Sequence, residues 1–223
     1  MISDILDIKK GITSIIGSGG KTTLMYVLAE ELSNKGRVIV TSSAKIYRPE
    51  HIITLENPAE EDIKSALAEN SVICVGKTTE EGKLTAPDID FSELEKLADY
   101  VLCEADGSKG LPLKAHGLYE PVIPPNSAKV IQVIGASGIG GKIKDVCHRP
   151  DIYASLTGRS IEDEADAESA AKVIKKEGLC HILVINQAAS LEDMENAAEL
   201  AECLNIPVWA GEIREGNLIC LRS

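Results

Sequence analysis

The residues best suited to chemistry stand near the start of the chain, in Ile15-Ile16-Gly17-Ser18-Gly19-Gly20-Lys21-Thr22-Thr23. Three glycines let the backbone turn its N–H groups inward with no Cβ in the way, forming an anion nest. A helix opening at Lys21 would add roughly half a positive charge at the same point. Such a loop binds phosphate. Lys21 reaches the β- and γ-phosphates of a nucleotide as a mobile point charge, and the Thr22 hydroxyl, with Thr23 beside it, ligates Mg²⁺. The usual loop carries a glycine five residues before Gly20, but position 15 is Ile. Counted from Gly17, the pattern is a shortened G-x-x-G-K-T-T.

A phosphate loop needs an acid at the end of a second buried strand. Tyr100-Val101-Leu102-Cys103-Glu104-Ala105-Asp106-Gly107 offers two. Glu104 and Asp106 can hold Mg²⁺ through water or poise an attacking water, which makes them catalytic candidates with Lys21. Period two places both on one side if the strand persists. Thr41-Ser42-Ser43-Ala44-Lys45 would lie at the carboxyl edge of the sheet, where hydroxyls and a lysine could sense the γ-phosphate or simply make a turn. Leu183-Val184-Ile185-Asn186-Gln187-Ala188-Ala189 resembles the strand and N-K-x-D motif with which GTPases read guanine. Asn186 matches, Gln187 replaces the lysine and Ala189 the aspartate. Alanine cannot accept from the guanine N–H groups, so ATP is favoured over GTP.

These residues need a sheet to position them. Ile12–Ile16, Arg37–Thr41, Val72–Val75, Tyr100–Cys103, Lys129–Ile134, His181–Ile185 and Pro207–Ala210 are near-continuous apolar runs, as expected of parallel strands buried on both faces. Between them Lys21–Lys35, Pro58–Glu69, Ser92–Ala98, Glu162–Lys176 and Leu191–Leu204 read as helices, with Gly36 as a C-cap and Ser92 and Ser190 as N-caps. The alternation implies an α/β fold with a doubly wound, mostly parallel sheet, a three-layer sandwich of the P-loop NTPase type. One domain over 1–223 is expected, with irregular functional loops at 106–127 and 135–150. The first of these holds four prolines.

Composition narrows the function. A net charge of −12 over 223 residues repels nucleic acid, and seven aromatic residues leave little for base stacking. The apolar runs are too short to span a bilayer, and the start lacks the basic and apolar regions of a signal peptide, so a cytoplasmic protein without membrane contact is expected. The six cysteines include no CxxC pair, which removes a zinc or iron–sulfur site and leaves reduced core thiols.

The loop, together with Glu104-Ala105-Asp106-Gly107-Ser108-Lys109-Gly110-Leu111-Pro112-Leu113-Lys114, resembles the YqeC family of small P-loop proteins. The likeness continues through Thr41–Pro49, Glu120-Pro121-Val122-Ile123-Pro124, Val146-Cys147-His148-Arg149-Pro150 and Leu183–Asn186. It implies an accessory role in maturing molybdenum hydroxylases that carry a labile selenium ligand. The implied partners are the hydroxylase or its cofactor-maturation proteins. Within the family blocks, Lys109, Lys114 and Arg149 gather positive charge on two loops of an acidic chain, with His148 alongside. They are candidates for a second anion, such as a selenium donor or a cofactor phosphate. His148 could serve as an acid or base, and Cys147 could carry selenium, although no resolving thiol neighbours it. Two activities fit: a Mg²⁺-dependent nucleotide hydrolase or transferase, or a nucleotide-gated binding module with slow turnover.

Overall fold

Strands form where the apolar runs lie, because a parallel strand with both faces covered has no polar side to show. In the computed structural model, which describes residues 1–223, the chain gathers into two compact units. Residues 1–15, 22–107 and 122–129 make the first, and 16–21, 108–121 and 130–223 the second.

The first unit is built on α1 (Ile2–Ile5), β1 (Gly11–Gly17), α2 (Lys21–Leu32), β2 (Val38–Ser42), β3 (Thr54–Glu56), α3 (Glu60–Glu69), β4 (Val72–Thr78), β5 (Leu84–Thr85), α4 (Phe91–Leu97) and β6 (Tyr100–Glu104). Ile16 and Gly17 at the end of β1 and Lys21 at the start of α2 cluster with the second unit. The strand order is β1-β6-β2-β4-β3, parallel throughout, with β5 antiparallel on β4. β6 is therefore flanked on both sides. Its last residue, Glu104, pairs with Ile15 on one neighbour and Ser42 on the other. Ile63 and Leu67 of α3 and Leu94 of α4 bury against Ile12, Ile39, Ile73 and Val101.

The second unit contains β7 (Leu113–Lys114), β8 (Ser127–Gly135) from Val130 onward, α5 (Ile143–Val146), β9 (Cys147–His148), α6 (Pro150–Thr157), α7 (Ala167–Glu177), β10 (Ile182–Asn186), α8 (Leu191–Glu202), β11 (Val208–Ala210) and β12 (Ile219–Arg222). Strands β8, β10 and β11 are parallel neighbours, and β12 closes the edge antiparallel to β11. A separate parallel pair joins β7 to β9. Much of this core is alanine: Ala167, Ala170 and Ala171 of α7 and Ala197 and Ala201 of α8 are buried together.

Both units are thus α/β with mostly parallel strands, as the alternation implied. Several local expectations need correction. The helix expected from Glu162 begins at Ala167, because Asp163 accepts from the Ser160 N–H and Lys142 bridges to Glu164, so the acidic stretch is a turn. Asp166 caps that helix, its Oδ1 accepting from the Ser169 N–H at 2.9 Å. Ser92 lies inside the first turn of α4, whose N-cap position is Asp90. Gly36 does not take a left-handed φ. It must be glycine for another reason: a Cβ there would stand 2.5 Å from the Asp99 carboxylate. The loops read as irregular hold β7, β9 and α5, and α6 begins at Pro150.

Ser190 caps α8 as expected. Its Oγ accepts from the Asp193 N–H at 3.0 Å, and the Asp193 carboxylate accepts from the Ser190 N–H at 3.0 Å. The Ser190 hydroxyl and backbone hold the Asp193 carboxyl below the usual range. Ser190→Ala should lower stability by about 1 kcal/mol in urea denaturation. A change under roughly 0.3 kcal/mol would show that Asp193 alone suffices as a cap.

Candidate functional site

The loop after β1 is shaped by backbone approaches that only glycine allows. Gly17 (φ 96°) and Gly19 (φ 66°) are both left-handed. A Cβ on Gly17 would collide with the Val133 carbonyl oxygen, and one on Gly19 with the Gly135 backbone. Ser18 fastens the loop between them. Its N–H donates to the Val133 carbonyl at 2.8 Å and its Oγ to the Pro112 carbonyl at 2.7 Å, while the Gly135 N–H donates to the same Pro112 oxygen. Gly20 (φ 135°) lies against the Asn186 amide.

Lys21 is buried at 3% exposure. Its ammonium donates to the Gly17 carbonyl at 2.9 Å and to the Ser108 hydroxyl at 3.3 Å. The second of these bonds joins the glycine loop to the chain at Ser108. Asn186 sits at the end of β10, where its Nδ2 donates to the Gly19 carbonyl at 2.8 Å and its Oδ1 accepts from the Ile213 N–H at 3.0 Å. Both ends of its amide therefore hold backbone. Gln187 takes a left-handed φ of 62° and accepts from the Ser137 hydroxyl.

In the first unit, Thr22 and Glu104 come together. The Thr22 hydroxyl donates to Glu104 Oε2 at 2.7 Å, and Thr23 follows in the first turn of α2. A hydroxyl that gives its proton to a carboxylate keeps its lone pairs for a cation, and carboxylate and hydroxyl oxygens are the hard donors Mg²⁺ takes. The pair fits that ion. Glu104 and Asp106 are both buried, at 5% and 1% exposure. The ladder continues one residue past Glu104, with the Ala105 N–H donating to the Ile15 carbonyl. The segment after β2 mostly makes turn contacts. Ser42 donates to the Glu104 carbonyl at 2.6 Å, Ser43 to the Val122 carbonyl, and Lys45 pairs with Glu81 at 3.0 Å. Thr41 Oγ1 is buried without a hydrogen bond.

The second unit brings the basic residues of the family blocks together. Register pairs Lys114 with His148 across β7 and β9, and Arg149 follows. Glu120 Oε1 accepts from Lys114 Nζ at 2.9 Å and from Arg149 Nε at 2.6 Å. Burial alone would raise the Glu120 carboxyl, but these two cations outweigh it and hold the group below its ordinary value. Lys109 is exposed, with φ 52°. Cys147 is buried, and burial pushes its thiol up to about 12, so a thiolate there is disfavoured. Burial likewise raises Cys74 to about 11 and Cys103 to about 12, in keeping with core thiols.

One pair had no signal in the sequence. His116 is buried, and Glu177 clamps it twice: Oε1 accepts from the His116 N–H at 2.7 Å, and Oε2 lies 2.7 Å from Nδ1. Sixty-one positions separate the partners. Only the fold, which brings Glu177 at the end of α7 to the residue two places after β7, could reveal them.

A family model described as "YqeC protein" matches residues 13–151 of this chain. The chain is also similar to "Uncharacterized protein YqeC" of Escherichia coli (strain K12), with 28% identity over 232 residues, 95% of this chain and 91% of that protein. No solved structure matches it.

The clamp on His116 gives a direct test. Glu177→Ala removes one partner of a buried pair and leaves a backbone N–H unsatisfied, so urea denaturation should show a loss of about 2–4 kcal/mol. A loss below roughly 0.5 kcal/mol would mean the clamp is dispensable.

Proposed function

The chain belongs to the YqeC family, and we propose that it binds a nucleoside triphosphate with Mg²⁺ at Gly17–Thr23 and hydrolyses it or transfers its phosphoryl group, with a P-loop NTPase-like fold. The observation that carries this reading is the run of strand, left-handed glycines, anchored lysine and helix start at Gly17–Lys21, continued by a Thr22 hydroxyl bound to Glu104. Amide groups of the loop and the first turn of α2 hold the phosphates, and Lys21 neutralises charge on the β- and γ-oxygens. Thr22, Glu104 and Asp106 hold Mg²⁺, which when bound neutralises charge developing on the phosphates. Glu104 or Asp106 accepts a hydrogen bond from the attacking water.

ATP is the preferred nucleotide. Ala189 offers no acceptor for guanine N–H groups, and the Asn186 amide is occupied by the Gly19 carbonyl and the Ile213 N–H. The pathway implied by the family resemblance is the maturation of selenium-dependent molybdenum hydroxylases, with the hydroxylase or its cofactor-maturation proteins as partner. A second reading, a nucleotide-gated binding module, is favoured by Leu118 and Tyr119. These adjacent apolar side chains are 97% and 91% exposed, beside the family block.

Calorimetric titration with ATP and GTP, each with Mg²⁺, tests the assignment. ATP should bind at micromolar concentration and more tightly than GTP, and Lys21→Ala should weaken it by about tenfold or more. Thr22→Ala should abolish the dependence of binding on Mg²⁺. Equal or tighter GTP binding would overturn the base assignment, and no nucleotide binding at all would overturn the proposal.

A further inference from the structure

The parallel pairing of β7 with β9 sets Lys114 beside His148 and leaves Arg149 immediately after. Arg149 is held in an uncommon backbone conformation, φ 67° and ψ 60°, which a non-glycine residue keeps only when its surroundings impose it. The side chain is fixed from two directions. Glu120 takes its Nε–H, and Gly117 gives it room, since a Cβ on that glycine would lie 3.0 Å from Nη1. The guanidinium is thus held rigid and still 40% exposed, and its two Nη groups make no hydrogen bond within the protein.

Two further groups stand near it without partners. The Nδ1 of His148 is buried and has no hydrogen bond. Lys109 is exposed and makes no ion pair. The charges around His148 come from Lys114, Glu120, Arg149 and Lys109. Burial first, then the three cations, hold its imidazole below its ordinary value, so it stands neutral at pH 7. A planar fork and an ammonium beside a neutral imidazole suit a ligand with several acceptor oxygens.

We propose that Lys109, His148 and Arg149 form a binding site for a phosphate-sized oxyanion, either inorganic phosphate or the terminal group of a phosphomonoester, with Glu120 as the residue that positions the guanidinium. Arg149 presents its Nη fork to two oxygens and Lys109 closes over a third, while the half-buried, neutral His148 imidazole borders the site without adding charge. The Glu120 carboxylate aims the fork but sets a negative charge beside it, which limits affinity. This site goes beyond the nucleotide reading and does not depend on it.

The test uses Lys21→Ala protein, in which the glycine loop is weakened, titrated with inorganic phosphate and separately with methyl phosphate. Binding should persist in that background and weaken about tenfold or more when Arg149→Gln is added. Lys109→Gln, an exposed change that cannot disturb folding, should weaken it severalfold. Glu120→Gln keeps an acceptor for Nε but removes the charge, and should tighten binding. Preference for methyl phosphate over phosphate would identify the ligand as a monoester, and the reverse as the free anion. A Kd unchanged by Arg149→Gln and Lys109→Gln, or no binding in the Lys21→Ala protein, would overturn the site. Weaker binding in Glu120→Gln would overturn the claim that the Glu120 charge limits affinity. Nucleotide titration of the protein with Lys21 intact stands apart from all these outcomes.

Discussion

An ammonium group taken out of water loses several kcal/mol of solvation unless hydrogen bonds and opposite charge replace it. This chain buries two. Lys21 and Lys114 are each 3% exposed, and the second unit supplies partners for both. The Gly17 carbonyl and Ser108 surround Lys21, and Glu120 meets Lys114. These requirements explain much of the irregular chain between Ser108 and Pro121. That stretch has to return to the glycine loop through Ser108 and Pro112, lay Lys114 against β9, and fold Glu120 back onto it. All of these contacts are made within fourteen residues that include two prolines and two glycines.

The same economy governs the glycine loop itself. Val133 and Gly135 at the end of β8 approach Gly17 and Gly19 so closely that side chains are excluded. The loop is consequently held by Ser18 and Asn186 rather than by packing. Rigid backbone donors around a fixed lysine are what an anion site needs, because little ordering remains to oppose binding.

The sheet strands were legible because burial on both faces writes itself as unbroken runs such as Val38–Val40 and Leu183–Ile185. Their ends lie within three residues of the runs, the largest shift being at β4, which continues to Thr78. Strands of two residues, such as β7 and β9, carry no period and were invisible, although they set Lys114 beside His148. Helix α7 was placed five residues early because charged turn residues and a charged helix face look alike. Of the candidate site, Thr22 and Glu104, drawn from two separate motifs, share a hydrogen bond. Asn186, whose place in the N-K-x-D-like run suggests a base contact, bonds through its amide to the Gly19 carbonyl and the Ile213 N–H. His116–Glu177 and Glu120–Arg149 join residues 61 and 29 positions apart, and no local pattern encodes such a meeting.

The alanines shared by α7 and α8 carry a consequence for how this chain can vary over time. Alanine has no side-chain torsion to rotate, so a neighbour that grows by a methyl group cannot be accommodated by a change of rotamer. The core of Ile, Leu and Val in the first unit has such freedom, and its members can exchange size in compensating pairs. The alanine positions of α7 and α8 lack that freedom, which only neighbours such as Val173, Ile174 and Leu200 retain. Sequence drift should therefore be tolerated more readily in the first core, while enlargement at Ala170, Ala171, Ala197 or Ala201 would push whole helices apart.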